Sequence, residues 1–128
     1  MKKLILFLLV VMLLTACGQA KKDDREAVYV NITAEEAKRI MDTEEGYIIL
    51  DVRTQEEYDQ GHIPGAIVIS YEEIKEKAEG ALPDKNQLIL VYCRSGRRSK
   101  IAAEALVELG YTNIKEFGGI LDWPYEVE

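Results

Sequence analysis

The stretch Leu88-Ile-Leu-Val-Tyr-Cys-Arg-Ser-Gly-Arg-Arg-Ser-Lys100 decides the fold. Its apolar run, Leu88–Tyr92, predicts a buried strand that ends just before Cys93. After a short loop with Gly96, an amphipathic helix is predicted from one apolar stripe, formed by Ile101, Ala102, Ala105, Leu106 and Leu109. A thiol between a strand end and a helix N-terminus lies among backbone N–H groups, which favour an anion such as a thiolate. The stretch therefore predicts cysteine chemistry on an anionic ligand.

The remaining pattern alternates strands with helices. Four more strands are predicted, at 28–32, 47–52, 66–69 and 113–117, and the intervening helices open at three capping-box patterns, Thr33-x-x-Glu36, Thr54-x-x-Glu57 and Ser70-x-x-Glu73. This alternation predicts a three-layer α/β domain with a mainly parallel central sheet and helices on both faces. Binding sites in such sheets lie beyond the carboxyl ends of the strands. Asp51 and Cys93 are therefore expected at one edge.

The first 27 residues are predicted to lie outside the domain. Lys2 and Lys3 precede 11 apolar residues, Leu4 to Leu14, a run too short for a spanning helix but suited to a signal peptide. Leu14-Thr-Ala-Cys17 resembles a bacterial lipobox. We expect a signal peptide at 1–16, a lipidated Cys17 with a tether at 17–27, and a domain at 28–128, anchored to the extracytoplasmic face of the cell membrane. The alternative is an ordinary secretory signal with a chance cysteine.

The charge balance excludes one class of partner. The chain has a formal net charge of −7, and leaving out residues 1–16, which hold two basic and no acidic residues, lowers it to −9. Such an acidic surface is a poor fit for nucleic acid. Against it stands a local cationic cluster of Arg94, Arg97, Arg98 and Lys100. If Cys17 carries lipid, Cys93 has no partner cysteine in its own chain.

Several motifs together resemble one family. They are Asp51-Val-Arg53 with Glu57, Gly61-His-Ile-Pro-Gly-Ala66, Cys93-Arg-Ser-Gly-Arg-Arg98, and Gly118-Gly119 with Trp123. In this order, over residues 28–124, they resemble the single-domain type of rhodanese, or thiosulfate sulfurtransferase. The resemblance implies that Cys93 takes the outer sulfur of thiosulfate or a persulfide, holds it as a persulfide, and passes it to cyanide or a thiol. It implies covalent catalysis without cofactor or metal, and we expect a monomer.

The resemblance also assigns roles around Cys93. Backbone N–H groups from Arg94 to Ser99, a segment that includes Ser95 and Gly96, would stabilise the bound sulfur. One of Arg94, Arg97 and Arg98 would grip the sulfonate end of a small anionic donor.

Four other matched residues are expected to support the site. Asp51 would either orient the loop after Cys93 or satisfy nearby loop N–H groups. Arg53 and Glu57 are predicted to form a structural ion pair. His62, the single histidine, is interpreted as a hydrogen-bonded turn residue rather than a base or metal ligand, because no other ligands cluster with it.

Three other functions stay open. A cysteine phosphatase needs an arginine after five intervening residues, whereas Arg98 follows Cys93 after four and Ser99 occupies the phosphatase arginine position. An arsenate reductase of the same fold needs a resolving cysteine. A non-catalytic rhodanese module that only binds a partner is the remaining alternative, because a fold does not fix a function.

Overall fold

The computed structural model describes residues 28–128. The predictions for the signal peptide, for Cys17 and for the tether therefore lie outside the described residues. Within residues 28–128, no helix is both long and apolar enough to span a membrane.

Five parallel strands form the central sheet. They are β1 (Val30–Asn31), β2 (Ile48–Asp51), β3 (Ile67–Val68), β4 (Ile89–Cys93) and β5 (Ile114–Gly119), arranged in the order β1-β5-β4-β2-β3. All five residues of β4 are buried. This is the burial expected of a central parallel strand with helices over both faces, and it explains the uninterrupted apolar run in the sequence.

Four α-helices connect the strands. They are α1 (Ala34–Thr43), α2 (Gln55–Asp59), α3 (Ile74–Ala81) and α4 (Arg97–Glu108), and 3₁₀ turns occupy Tyr71–Glu73 and Ile120–Asp122. The helices divide the core in two. On one face of the sheet, residues of α3 and α4 pack against Val91 and Cys93; on the other, residues of α1 pack with Leu90 and Tyr92. The predicted three-layer α/β fold is confirmed.

Two of the three predicted helix caps are present. The Thr33 hydroxyl accepts the N–H of Glu36 at 3.1 Å, and Thr54 with Glu57 forms a reciprocal capping box. The prediction for Ser70 is wrong: its side chain makes no capping hydrogen bond, because the chain enters a 3₁₀ turn there and the Ser70 carbonyl accepts the N–H of Glu73.

The region around Cys93 differs from its predicted boundaries. Strand β4 includes Cys93, which was predicted to follow the strand, and α4 begins at Arg97, directly after Gly96. Gly96 has a left-handed φ of 108°, a conformation that costs glycine little and lets the chain turn directly from strand to helix. One residue of the predicted apolar stripe is misplaced: Ile101 is 39% exposed, and Ala103 completes the buried face of α4 instead.

Candidate active site

Cys93 lies at the carboxyl end of β4, under the loop formed by residues 94–96, which we call the Cys93 loop. The residue exposes none of its surface. Its Sγ accepts a hydrogen bond from the N–H of Gly96 at 3.0 Å, and the N-terminus of the 12-residue helix α4 follows immediately. A backbone N–H and a helix dipole both stabilise negative charge, so this geometry favours a thiolate.

The end of β5 holds the Cys93 loop in place. Gly119 is paired with Cys93 in the sheet, and a Cβ atom at Gly119 would overlap the backbone carbonyl of Arg94. The same carbonyl accepts the N–H of Leu121 at 3.2 Å. The loop can therefore lie this close to β5 only if residue 119 has no side chain, which gives Gly119 of the Gly118-Gly119 motif a steric reason.

Ser99 lies beside the sulfur. It is fully buried in the first turn of α4, and its Oγ is 3.3 Å from Cys93 Sγ. The same Oγ lies 2.6 Å from Oε1 of Glu116, and farther from the backbone carbonyls of Gly96 and Gly118. A hydroxyl has one proton to donate, and an ionised carboxylate is the strongest of these acceptors. The Ser99 hydroxyl therefore donates to Glu116 when that carboxylate is ionised.

Glu116 is a site residue that the sequence analysis missed. It is 2% exposed on β5, and its Oε1 also accepts the N–H of Gly118 at 2.8 Å. One signal was present in the sequence. Ile114 and Glu116 lie two apart in a strand and so share a face, and a carboxylate on the buried face of a central strand is unusual enough to suggest a site.

The structure separates the three arginines of the motif. Both terminal nitrogens of Arg98 donate to Glu57, at 2.6 and 2.9 Å. The hydrogen bond from Arg98 lowers the pKa of Glu57 to about 2, and the hydrogen bond from Glu57 raises the pKa of Arg98. Arg94 and Arg97 are exposed at the mouth of the loop. Both terminal nitrogens of Arg98 are thus hydrogen-bonded to Glu57, whereas Arg94 and Arg97 face solvent.

The predicted Arg53–Glu57 ion pair is wrong. Arg53 instead donates through Nη2 to Oδ2 of Asp51 at 2.7 Å and to the Gly61 carbonyl at 2.7 Å. Burial opposes the charge of Arg53, but the hydrogen bonds and charge of Asp51 raise its pKa. The two residues are both nearly inaccessible to solvent. Glu57 pairs instead with Arg98 of α4, 41 residues away in sequence, and no local pattern indicates that pairing.

Asp51 satisfies its own strand end and does not touch the Cys93 loop. It accepts the N–H of Arg53 at 2.9 Å and the Tyr92 hydroxyl at 2.8 Å. The Tyr92 hydroxyl in turn accepts the N–H of Ile63 at 3.1 Å, and burial raises the pKa of this phenol. Of the two predicted roles for Asp51, the geometry fits the second.

His62 lies away from Cys93, in the turn after α2. Its Nδ1 is 3.0 Å from the Tyr58 carbonyl, its Nε2 is 3.2 Å from Oε1 of Glu128, and its ring stacks on Tyr58 at 3.8 Å between centroids. This is the hydrogen-bonded turn residue that the sequence analysis favoured. Over residues 28–128, no group of three or more His, Cys, Asp or Glu residues is arranged to hold a metal ion.

A five-stranded parallel sheet whose central strand delivers a buried cysteine to a helix N-terminus defines a class of α/β domains with a cysteine at the strand end. Residues 33–125 match the family model described as "Rhodanese-like domain". The chain therefore belongs to the rhodanese-like family.

Two relatives and one solved structure illustrate the match. The thiosulfate sulfurtransferase PspE of Escherichia coli is 48% identical over 73 residues, which cover 57% of this chain and 70% of PspE. The adenylyltransferase and sulfurtransferase UBA4 of Candida albicans is 30% identical over 121 residues, 89% of this chain but 27% of that longer protein. A rhodanese with anions from E. coli has a TM-score of 0.60 and 43% identity, covering 64% of this chain and 96% of that one. These relatives support sulfurtransferase activity in general terms.

Proposed function

We propose that this protein is a sulfurtransferase in which Cys93 carries a sulfane sulfur from thiosulfate or a persulfide to a thiophilic acceptor. The observation that carries the proposal is the hydrogen bond from Gly96 N–H to Cys93 Sγ at the start of α4. It stabilises the thiolate before reaction, and the same donors suit the anionic terminal sulfur of a persulfide.

The reaction has two displacement steps. The Cys93 thiolate attacks the outer sulfur of thiosulfate, the S–S bond of thiosulfate breaks, and sulfite leaves with the bonding electron pair. An acceptor thiolate or cyanide then attacks the terminal sulfur of the persulfide, and Cys93 leaves as a thiolate. Sulfite leaves before the acceptor reacts, and the persulfide form of the enzyme persists between the two substrates, so we expect ping-pong kinetics.

Arg94 and Arg97 are the arginines that we assign to the donor. Both are exposed at the mouth of the Cys93 loop, whereas the two terminal nitrogens of Arg98 donate hydrogen bonds to Glu57. Charge-assisted hydrogen bonds are worth about 1.5–3 kcal/mol, so the critical alanine variant, Arg94→Ala or Arg97→Ala, is expected to raise the thiosulfate KM by at least about tenfold. Arg39→Ala, which removes an exposed arginine of α1, is the matched control. Unchanged KM in both loop variants would point to a neutral or persulfide donor.

Mass spectrometry tests the proposal directly. Purified protein exposed to thiosulfate should gain the mass of one sulfur atom, and cyanide or a small thiol should remove it. Cys93→Ser should never gain it. A wild-type protein that forms no adduct but hydrolyses an aryl phosphate through Cys93 would instead be a phosphatase. Ser99, which stands at the phosphatase arginine position, argues against that outcome because its neutral hydroxyl faces the sulfur.

We further propose that lipidated Cys17 anchors the protein to the extracytoplasmic face of the cell membrane. The support is the sequence of residues 1–17 alone. Stable anchoring takes two acyl chains, which a diacylated cysteine would supply. Cys17→Ser should therefore move the protein from the membrane fraction to the soluble fraction or block its processing. A variant that stays in the membrane with unchanged processing contradicts the anchor.

A further inference from the structure

The carboxylate of Glu116 is a buried acidic group that the two displacement steps do not use. Within residues 28–128, no lysine, arginine or histidine nitrogen lies within 4.0 Å of it. Its Oε1 is instead hydrogen-bonded to the Ser99 hydroxyl at 2.6 Å and to the Gly118 N–H at 2.8 Å. A buried carboxylate without a cation is unfavourable as an anion, and this one is connected through a single hydroxyl to the reactive sulfur.

The hydroxyl of Ser99 can serve only one of its two neighbours as a donor. When Glu116 is ionised, the hydroxyl proton points to the carboxylate at 2.6 Å, and Ser99 Oγ turns a lone pair toward Cys93 Sγ at 3.3 Å. That arrangement fits a thiol, whose S–H can donate to the lone pair. When Cys93 is a thiolate and Glu116 is protonated, the hydroxyl can donate to the sulfur while the carboxylic acid donates to Ser99 Oγ.

We propose that Glu116 accepts the proton of Cys93 through the Ser99 hydroxyl, so that thiol and carboxylate share one proton as a coupled pair. The S–H bond breaks as its proton passes to Ser99 Oγ, and the original Ser99 proton passes to Oε1 of Glu116. Negative charge moves from the carboxylate to the sulfur, with no change in net charge or oxidation state. Glu116 acts through Ser99 and is a positioning residue. The inference rests on the proposed function only in that the reaction begins from a thiolate.

The charges around the relay favour this direction of transfer. On α4, Arg98 lies near enough to Cys93 for their charges to interact, which stabilises a thiolate. Next to β1, the pKa of the Tyr29 phenol is raised by burial and by the carboxylates of Glu104 and Glu116. The sulfur thus has a neighbouring cation and the Gly96 N–H, whereas the Glu116 carboxylate has a hydroxyl and one backbone N–H.

Alkylation of Cys93 by iodoacetamide, which is small and uncharged, measures its thiolate content as a function of pH. Two groups that share a proton titrate in two macroscopic steps. In the wild-type protein the rate constant should rise to a plateau, where one shared proton keeps the thiolate fraction independent of pH, and rise again when that proton is lost. Glu116→Gln removes one of the two groups and should give a single step, whereas Ser99→Ala keeps both groups but removes the hydroxyl between them and should change the height of the plateau. Glu104→Gln removes an exposed carboxylate of α4 and should keep two steps.

A single step in the wild-type protein, at any pH, would overturn the relay, as would two steps in Glu116→Gln. Should Glu116→Gln fail to fold, Ser99→Ala and infrared spectroscopy carry the test. On the plateau, the wild-type and Glu104→Gln proteins should show the carbonyl stretch of a protonated buried carboxylic acid. Alkylation is independent of sulfur transfer. A persulfide adduct in a protein with one-step alkylation would retain the proposed function and reject the relay.

Discussion

Asp51 and Glu116 are two buried carboxylates near the carboxyl edge of the same sheet, and their surroundings differ. Asp51, on the face of α1, has a buried guanidinium at 2.7 Å and the Tyr92 hydroxyl at 2.8 Å. Glu116, on the face of α4, has only a serine hydroxyl and one backbone N–H. The first carboxylate is neutralised within the scaffold, whereas the second is left free to exchange a proton beside the sulfur. In this protein, burial of a carboxylate does not by itself indicate function. Among residues 28–128, the absence of a cationic partner is what distinguishes Glu116 from Asp51.

Amide substitutions of the two carboxylates should differ strongly in their effect on the free energy of unfolding. Asp51→Asn leaves the Arg53 charge buried and unpaired, so we expect a loss of about 3–5 kcal/mol in the free energy of unfolding. Glu116→Gln leaves no charge behind and should change it by less than about 1 kcal/mol. Urea denaturation at pH 7 measures both. Equal losses would mean that Glu116 has a stabilising partner equivalent to Arg53.

A third carboxylate, Glu57, lies between the two cases because it is paired but partly exposed, with 26% of its side chain accessible. Its pKa in the folded protein, about 2, is below the ordinary value of 4.5. The pair with Arg98 therefore stabilises the fold above pH 4.5, and this stability is lost as the pH falls from 4.5 toward 2.

Glu57→Gln should cost about 1–2 kcal/mol at pH 7 after allowance for solvent screening, and its disadvantage should vanish near pH 2. Unfolding free energies measured from pH 7 to pH 2 test this. Glu56→Gln, at an exposed position of the same helix, is the control. A disadvantage that persists unchanged at pH 2 would show that the amide disturbs the capping box rather than the ion pair.

Tyr92→Phe tests whether the surroundings of Asp51 are separate from those of Cys93. The change removes the hydroxyl that bridges Asp51 and Ile63, so we expect a loss of about 1–2 kcal/mol in stability. Although Tyr92 precedes Cys93 in sequence, its side chain is on the opposite face of the sheet. The pH profile of Cys93 alkylation should therefore match that of the wild-type protein. A shifted profile would mean that the two carboxylate sites communicate through β4.

The sequence predicts the order of strands and helices well because the apolar runs and capping patterns are local. It also places Asp51 and Cys93 at one edge of the sheet, since parallel strands present their carboxyl ends there. Charge pairing is different. Whether Glu57 meets Arg53 or Arg98 depends on how α2 lies against α4, and no local pattern encodes that angle. Glu116 was not predicted as a site residue, although its spacing from Ile114 places both on one face of the strand.

The sulfur, the hydroxyl and the carboxylate all belong to one β–α–β segment, β4-α4-β5, whereas Asp51 and Arg53 meet Tyr92 from a separate part of the chain. Forming the reactive cluster closes only a short loop, which costs little chain entropy. Its geometry can therefore assemble as a unit during folding. A circularly permuted chain, opened at the exposed turn near Gly46, would keep this segment unbroken.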